Sequence, residues 1–225
     1  NWNVIRLYSV NFFNNPKREI KKIKDYLDKL TSSKQEVSSS YRRVYKAAKV
    51  EVSQADASAV LGGSLDAELI RTIKAVVSAE EPISEPFLIK RVLSLYGITK
   101  FGVRLEGKIL SLIPACGLKS MEMLGTNHYY RTDKAVTFEK YRVEEGTSVR
   151  TSDADYSPSD TIALTRAILH ENVSLYRDEL ISAICAHLKA GKVTDKLYNR
   201  FSAAIDEGIS RGMFIRSVSD RISLR

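Results

Sequence analysis

Basic side chains occur in two triplets whose spacing suits the binding of phosphate groups. The triplets are Lys100, Arg104 and Lys108, and then, 92 residues further along the chain, Lys192, Lys196 and Arg200. On a helix, a spacing of four keeps three side chains on one ridge. Lys and Arg side chains form charge-assisted hydrogen bonds to phosphate and carboxylate groups. We therefore take the two triplets as the principal candidate binding residues.

The apolar residues that must position these triplets repeat with the same offset. Ten apolar positions recur without a gap, and the pairs are Ile70 with Ile162, Val76 with Ile168, Val77 with Leu169, Ile83 with Leu175, Leu88 with Leu180, Ile89 with Ile181, Val92 with Ile184, Leu105 with Leu197, Ile109 with Phe201, and Ile113 with Ile205. Agreement through three consecutive amphipathic segments indicates two copies of one folding unit.

The order of segments predicts that each copy is a winged helix-turn-helix, three helices followed by a β-hairpin. The first copy begins with a helix capped near Ser64 or Asp66, and its hairpin turns at 125–127. In the second copy Ser157 is the expected N-cap and Pro158 the first helical residue. The predicted fold class is mainly α with small β-hairpins (α+β), as tandem winged helices preceded by an isolated strand and helix.

Five segments are predicted along the chain: a closing strand and helix at 1–30, a basic linker at 31–63, the first winged helix at 64–131, a connector at 132–156, and the second winged helix at 157–225. The run from Trp2 to Tyr8 is strand-like, and Pro16 suits a first helical position. We expect both elements to complete a domain that lies upstream in a larger polypeptide.

The positive charge is concentrated at one end of the chain. Of the formal net charge of +8, all lies in residues 1–50, with 12 Lys and Arg against 4 Asp and Glu, whereas residues 51–225 hold 23 of each sign. Further candidate phosphate-binding residues are Arg42 and Arg43 in the linker, Arg216, Arg221 and Arg225 in the second hairpin, and Lys119 and Arg131 in the first. Docking to an acidic protein surface and ordinary solvated helix faces are the alternative interpretations of the triplets.

No residue pattern indicates catalysis. Cys116 and Cys185 fall at non-equivalent places of the two copies, so we expect buried reduced thiols. The three histidines, His128, His170 and His187, are scattered, and paired carboxylates and metal-binding spacings are not evident. The sequence therefore predicts a segment that is not an enzyme and binds no cofactor. It also lacks an apolar run of the roughly 18 residues needed to cross a bilayer, which favours a cytoplasmic protein without a membrane partner.

Two stretches resemble a known family. Val4-Ile-Arg-Leu-Tyr-Ser, followed by Asn11-Phe-Phe-Asn-Asn-Pro16, resembles the end of the very-short-patch-repair-like endonuclease domain found in large bacterial superfamily-I helicase-like proteins. The stretches that begin at Glu81 and at Phe101 resemble the C-terminal domain of unknown function in those proteins, and Arg104 falls on its recurring arginine. The resemblance implies a parent that uses ATP and magnesium, with its motor and nuclease residues outside this segment.

Three functions remain open at this point. The leading hypothesis is a non-catalytic C-terminal module that binds the phosphates of DNA through its third helices and hairpins, beside upstream helicase and nuclease-like domains of the same polypeptide. The second is a protein-docking module that packs on those domains without contacting DNA. The third is a segment that completes the endonuclease domain through residues 1–30.

Overall fold

The computed structural model describes residues 12–13, 15–26, 40–144, 149–150, 152, 155–188, 190 and 192–225. A helix covers 16–26 and begins at Pro16, as predicted. The predicted strand at 2–8 lies outside the described residues. The fold is mixed α/β, with helices and small sheets.

The first copy contains three helices and a three-stranded sheet. Its elements follow the helix α1 (Ala57–Leu61) and are α2 (Asp66–Glu80), β2 (Ile83–Ser84), α3 (Glu85–Leu95), α4 (Val103–Leu112), a 3₁₀ turn at Ile113–Cys116, β3 (Lys119–Met123) and β4 (Thr126–Tyr130). The strand order is β2-β4-β3, antiparallel throughout. Gly97 ends α3 with a left-handed φ of 85°, as its position after the apolar stripe predicts.

The second copy contains the same order of helices and strands, and its third helix continues through the positions where the first copy has the 3₁₀ turn. Its elements are α5 (Pro158–Glu171), β6 (Leu175–Tyr176), α6 (Arg177–Leu188), α7 (Asp195–Ser210), β7 (Phe214–Arg216) and β8 (Arg221–Leu224). The strand order is β6-β8-β7, again antiparallel. Ser157 is the N-cap of α5, and its hydroxyl accepts a hydrogen bond from the backbone N–H of Ser159. The predicted start of this helix is confirmed.

Corresponding elements of the two copies begin 92 residues apart. The first residues of α2, β2, α3 and α4 correspond in this way to those of α5, β6, α6 and α7. Eight of the ten repeated apolar pairs are buried in both copies, and in the other two pairs the partly buried members are Ile70 and Leu175. The repeated apolar residues thus form two separate cores of matching design.

Residues 40–63, the described part of the predicted linker, are more ordered than their composition indicates, and residues 31–39 lie outside the described part of the chain. Strand β1 (Arg42–Tyr45) pairs in parallel with β5 (Tyr141–Glu144), which lies in the predicted connector. Tyr45, Ala48 and Val60 are buried in the core of the first copy, while Tyr141 is buried in that of the second. Residues 40–63 are therefore a packed part of the molecule. The β1–β5 ladder connects the two cores.

The turn of the first hairpin begins one residue earlier than predicted. Met123 pairs with Thr126, so the loop consists of Leu124 and Gly125. Both have positive φ, 52° and 70°, which is the conformation that two-residue hairpin loops require. The glycine adopts it at no steric cost, whereas Leu124 is an unusual residue in this position.

Candidate nucleic-acid interface

Two of the three predicted basic residues of each copy are exposed at or just before the start of its third helix. Arg104 and Lys196 are each the second residue of their helix, α4 or α7, and both are exposed. Lys100 and Lys192 are also exposed, but they precede the helices by three residues. The prediction of three basic residues on one helical ridge is therefore wrong. Each copy instead has an exposed basic pair at the start of its third helix, and we call the four residues the basic pairs.

The third basic residue of each triplet links the third helix of its copy to the start of the first helix. Lys108 is largely buried, with its Nζ 2.7 Å from a carboxylate oxygen of Asp66 at the start of α2. Arg200 donates from Nη2 to the backbone carbonyl of Tyr156, just before α5, at 2.9 Å. Both therefore fasten the third helix of a copy to the beginning of its first helix. This shared role accounts for the repetition of a basic residue at this position.

The starts of α4 and α7 differ in how their backbone is capped. Gly102, the N-cap of α4, has no side chain to offer the first-turn N–H groups. At the start of α7, the hydroxyl of Thr194 accepts a hydrogen bond from the N–H of Leu197 at 3.3 Å. A helix N-terminus carries a partial positive charge and orphan N–H donors that attract anions. The start of α4 thus lies beside Lys100 and Arg104 without a side-chain cap on its first-turn N–H groups.

The predicted hairpin residues are mostly engaged within the protein. Arg221 donates from Nε and Nη2 to Ser174, both at 2.9 Å, and its guanidinium lies 4.6 Å from the ring centre of Tyr176. Arg216 pairs with Asp220 at the surface. The other predicted contacts of this kind, Lys119 and Arg131, pair with Asp133 and hydrogen-bond to Ser78, respectively. The structure therefore gives Arg221 a packing role within its own sheet.

The two arginines of the predicted linker lie on strand β1. Arg42 is exposed, and Arg43 is partly buried. Burial and the nearby positive charge of Arg142 lower the pKa of Arg43, against the opposing effect of Asp160 and Glu81. Neither arginine is near the basic pairs in sequence, and the structure gives Arg43 the distinct surroundings considered below.

A buried charge network that the basic-residue pattern did not reveal lies between the two copies. Arg142 on β5 donates from Nε and Nη2 to the carboxylate of Asp160 on α5, at 2.9 and 2.6 Å. It also donates to the backbone carbonyls of Glu80 and Pro82 in the first copy. The guanidinium of Arg150 lies 3.5 Å from Asp160 and above the ring of Tyr45. Arg142 therefore joins the first copy to the second.

Glu80 forms a second buried cluster at the end of α2. Its carboxylate, 1% exposed, accepts hydrogen bonds from the Arg91 guanidinium at 2.9 and 3.0 Å, from the hydroxyl of Tyr45, and from the backbone N–H of Ala48. Burial and the adjacent carboxylate both raise the pKa of Tyr45, so its hydroxyl stays protonated. The one available sequence signal was an acidic residue at the end of an otherwise apolar helical stripe.

The cysteines and His128 have structural surroundings. Cys116 and Cys185 are buried free thiols, as predicted, and burial raises the pKa of both. His128 is completely buried on β4, with Nδ1 3.0 Å from the carbonyl oxygen of Thr126. Burial lowers the pKa of His128 to about 4. Buried thiols of this kind are unreactive, and the His128 imidazole is neutral near pH 7.

Comparisons with known proteins supply no relative for this chain. Protein-family models, curated proteins and solved structures all gave no match. Among the described residues, no group of three or more His, Cys, Asp or Glu side chains could hold a metal ion. In the same part of the chain, no helix is both long and apolar enough to cross a membrane.

Proposed function

We propose that this chain is a tandem winged-helix module that binds the phosphate backbone of DNA through the basic pairs. The observation that carries the proposal is the repeated exposure of Lys100 with Arg104 and of Lys192 with Lys196, each at the start of a third helix. The shared order of helices and strands supports the winged-helix assignment, since the third helix of such a unit is the one that enters a groove or lies along the backbone.

The chemistry of the basic pairs favours positioning over sequence reading. Lys and Arg at a helix start bind phosphate oxygens together with backbone N–H groups. Asn and Gln, which read adenine in the major groove, are sparse beside these pairs: Asn199 is the nearby example on α7. The module would therefore hold DNA without strong sequence preference and deliver it to upstream helicase and nuclease-like domains of its polypeptide.

The test is the salt dependence of DNA binding by the full 225-residue chain. Changing Lys100 and Arg104 to Gln, or Lys192 and Lys196 to Gln, should reduce the slope of log K against log salt by about 0.9 for each lost phosphate contact. The matched control changes Arg71 and Lys74 to Gln, because both are exposed on α2 and remove the same charge. Slopes that fall equally in the control and the test variants contradict a specific role for the basic pairs.

A docking function is the second candidate, and exposed valines favour it. Val103, beside Arg104, is 82% exposed, and Val193, beside Lys192, is 38% exposed. An apolar side chain next to each basic pair suits an acidic protein surface with apolar contacts. In that case the chain ignores DNA at low salt, binds the upstream domains of its polypeptide, and loses that binding on Val103→Asp. Retained DNA binding by Val103→Asp favours the first candidate.

A further inference from the structure

A cleft of about 300 Å³ opens beside strand β1, away from the basic pairs in sequence. Its walls come from β1, from the end of α2, and from the 3₁₀ turn at Asp133–Ala135 that precedes β5. The charged and hydroxyl-bearing residues that line it are Arg43, Lys46, Lys134, Arg142, Glu81, Ser78 and Thr132. This volume is at the lower end of the range for small-molecule sites.

The lining of the cleft carries excess positive charge. Four of its side chains are cationic, and Glu81 is the acidic one. Arg142 is already neutralised by the carboxylate of Asp160. Lys46 and Lys134 are exposed and form no ion pair within the described part of the chain. The carboxylate of Glu81 also accepts a hydrogen bond from the backbone N–H of Arg131. The net positive charge of the lining therefore favours the binding of an anion in the cleft.

Arg43 lacks an acceptor that its position calls for. Its Nε is buried and has no hydrogen-bond partner among the described residues, and its guanidinium forms no ion pair there. Leaving a buried donor unpaired destabilises a protein, and a charged donor does so more strongly. Both burial and the charge of Arg142 disfavour the protonated Arg43. An anion entering the cleft would supply the missing acceptor and offset the charge.

We propose that this cleft binds a single phosphate group, with Arg43 as its principal ligand and Lys46 and Lys134 as flanking cations. A planar guanidinium binds two phosphate oxygens at once, and lysine adds a compact charge. Thr132, which carries a hydroxyl group, also lines the cleft. The proposal does not depend on the basic pairs, because none of them lines the cleft.

The first test is a titration of the isotope-labelled chain with inorganic phosphate, followed by amide chemical shifts at constant ionic strength. Saturable shifts should cluster at 43–46, 78–81 and 132–135. Arg43→Met should weaken binding about tenfold or more, the equivalent of 1.4 kcal/mol, and Lys134→Gln, at an exposed site, should weaken it severalfold. Lys49→Gln, an exposed lysine outside the lining, should leave binding unchanged. Shifts that do not saturate, or equal affinity in all variants, overturn the proposal.

A gain of affinity provides the second test. Glu81→Gln removes the negative lining charge and keeps an oxygen that can accept from the N–H of Arg131. Phosphate binding should tighten by about threefold or more, because a unit charge a few ångströms away contributes on the order of 1 kcal/mol even in water. A destabilised protein would not bind more tightly. Unchanged or weaker binding by Glu81→Gln therefore counts against the cleft.

Two oligonucleotides, one with a 5′-phosphate and one with a 5′-hydroxyl, distinguish between the possible sources of the bound phosphate group. Stronger binding of the first, abolished by Arg43→Met, identifies a nucleic-acid end as the ligand. Equal binding of the two, together with saturable inorganic phosphate, identifies a free phosphate or small phosphate ester. Changes at Lys192 and Lys196 should leave phosphate binding intact, so failure of the DNA-binding proposal leaves the cleft testable.

Discussion

Asp160 is buried and forms ion pairs with two buried arginines, Arg142 and Arg150. Burial alone would raise the pKa of its carboxyl, but the charges and hydrogen bonds of Arg142, together with Arg150 and Arg43, outweigh burial and hold the pKa below its usual value. The carboxylate is thus ionised in the folded protein. Arg142 depends on this carboxylate for its ion pair, whereas Arg150 also pairs with Glu144.

Replacing Asp160 with Asn should lower the free energy of unfolding by roughly 3–5 kcal/mol, because removing one member of a buried ion pair leaves the other charge uncompensated. Urea denaturation followed by circular dichroism measures the change. The matched control is Asp133→Asn, whose pair with Lys119 is exposed at the surface, and it should cost less than about 1 kcal/mol. Similar losses in the two variants would show that the buried network contributes little.

His128 should make the folded state sensitive to mild acid. Its pKa is lowered to about 4 in the folded protein, against about 6.5 in an unfolded chain. The unfolded state therefore binds the proton first, and the free energy of unfolding falls as the pH drops from about 6.5 to about 4. Neutral His128 therefore makes its full contribution to the free energy of unfolding above pH 6.5. About 3 kcal/mol of that free energy is lost by pH 4.

Unfolding free energies measured between pH 7 and pH 4.5 test this dependence. His128→Gln should flatten it, because an amide keeps a hydrogen bond to the Thr126 carbonyl and does not titrate. His187→Gln is the control, since His187 is exposed on α6, and it should retain the wild-type dependence. If both variants follow the wild-type curve, His128 is not the group responsible.

At the scale of elements, the sequence identified the helices well and the strands less well. The helices carry long apolar stripes, and their starts repeat with one offset, so α3 and α6 could be located from either copy. The two-residue strands β2 and β6 are too short to show alternation. Strand β1 was missed because its partner β5 lies nearly a hundred residues away.

Contacts between residues far apart in sequence also explain why the prediction for the basic triplets was wrong. Spacing alone placed Lys108 beside Arg104, but it could not show that Asp66, 42 residues earlier, holds the Lys108 ammonium group. Arg200 is held similarly by a carbonyl 44 residues earlier. Sequence periodicity reports which face of a helix a residue occupies. It does not report which long-range partner reaches that face.

Two helical glycines give a matched prediction about the third helices. A Cβ added at Gly208 in α7 would lie 2.3 Å from the buried ring of Phe214, whereas one added at Gly107 in α4 meets no atom within 4 Å. Gly208→Ala should therefore destabilise the protein by about 1–3 kcal/mol through overpacking. Gly107→Ala should stabilise it by about 0.5–1 kcal/mol through helix propensity. Thermal or urea unfolding of both variants measures the difference, and equal signs would contradict this packing.

At the scale of the whole molecule, two small cores are coupled by few but buried contacts. A unit of about 70 residues buries a limited fraction of its surface and is marginal alone. Here the β1–β5 ladder places Tyr45 in one core and Tyr141 in the other. Arg142 hydrogen-bonds to the end of α2 and to Asp160 on α5. We therefore expect the two copies to unfold together.

Arg142→Met should allow the two copies to unfold separately, because it removes the hydrogen bonds to the Glu80 and Pro82 carbonyls and to Asp160 at the same time. Hydrogen exchange under native conditions measures this coupling, since amides of one cooperative unit share one opening free energy. In the wild type, the amides of α2 and α5 should have the same opening free energy. In Arg142→Met the opening free energies of the two helices should differ. Arg177→Met is the control, because Arg177 binds Ser202 and Asp206 within the second copy alone; it should lower stability while the two helices still exchange together. Matching values for α2 and α5 in Arg142→Met would mean that the ladder alone suffices to join the copies.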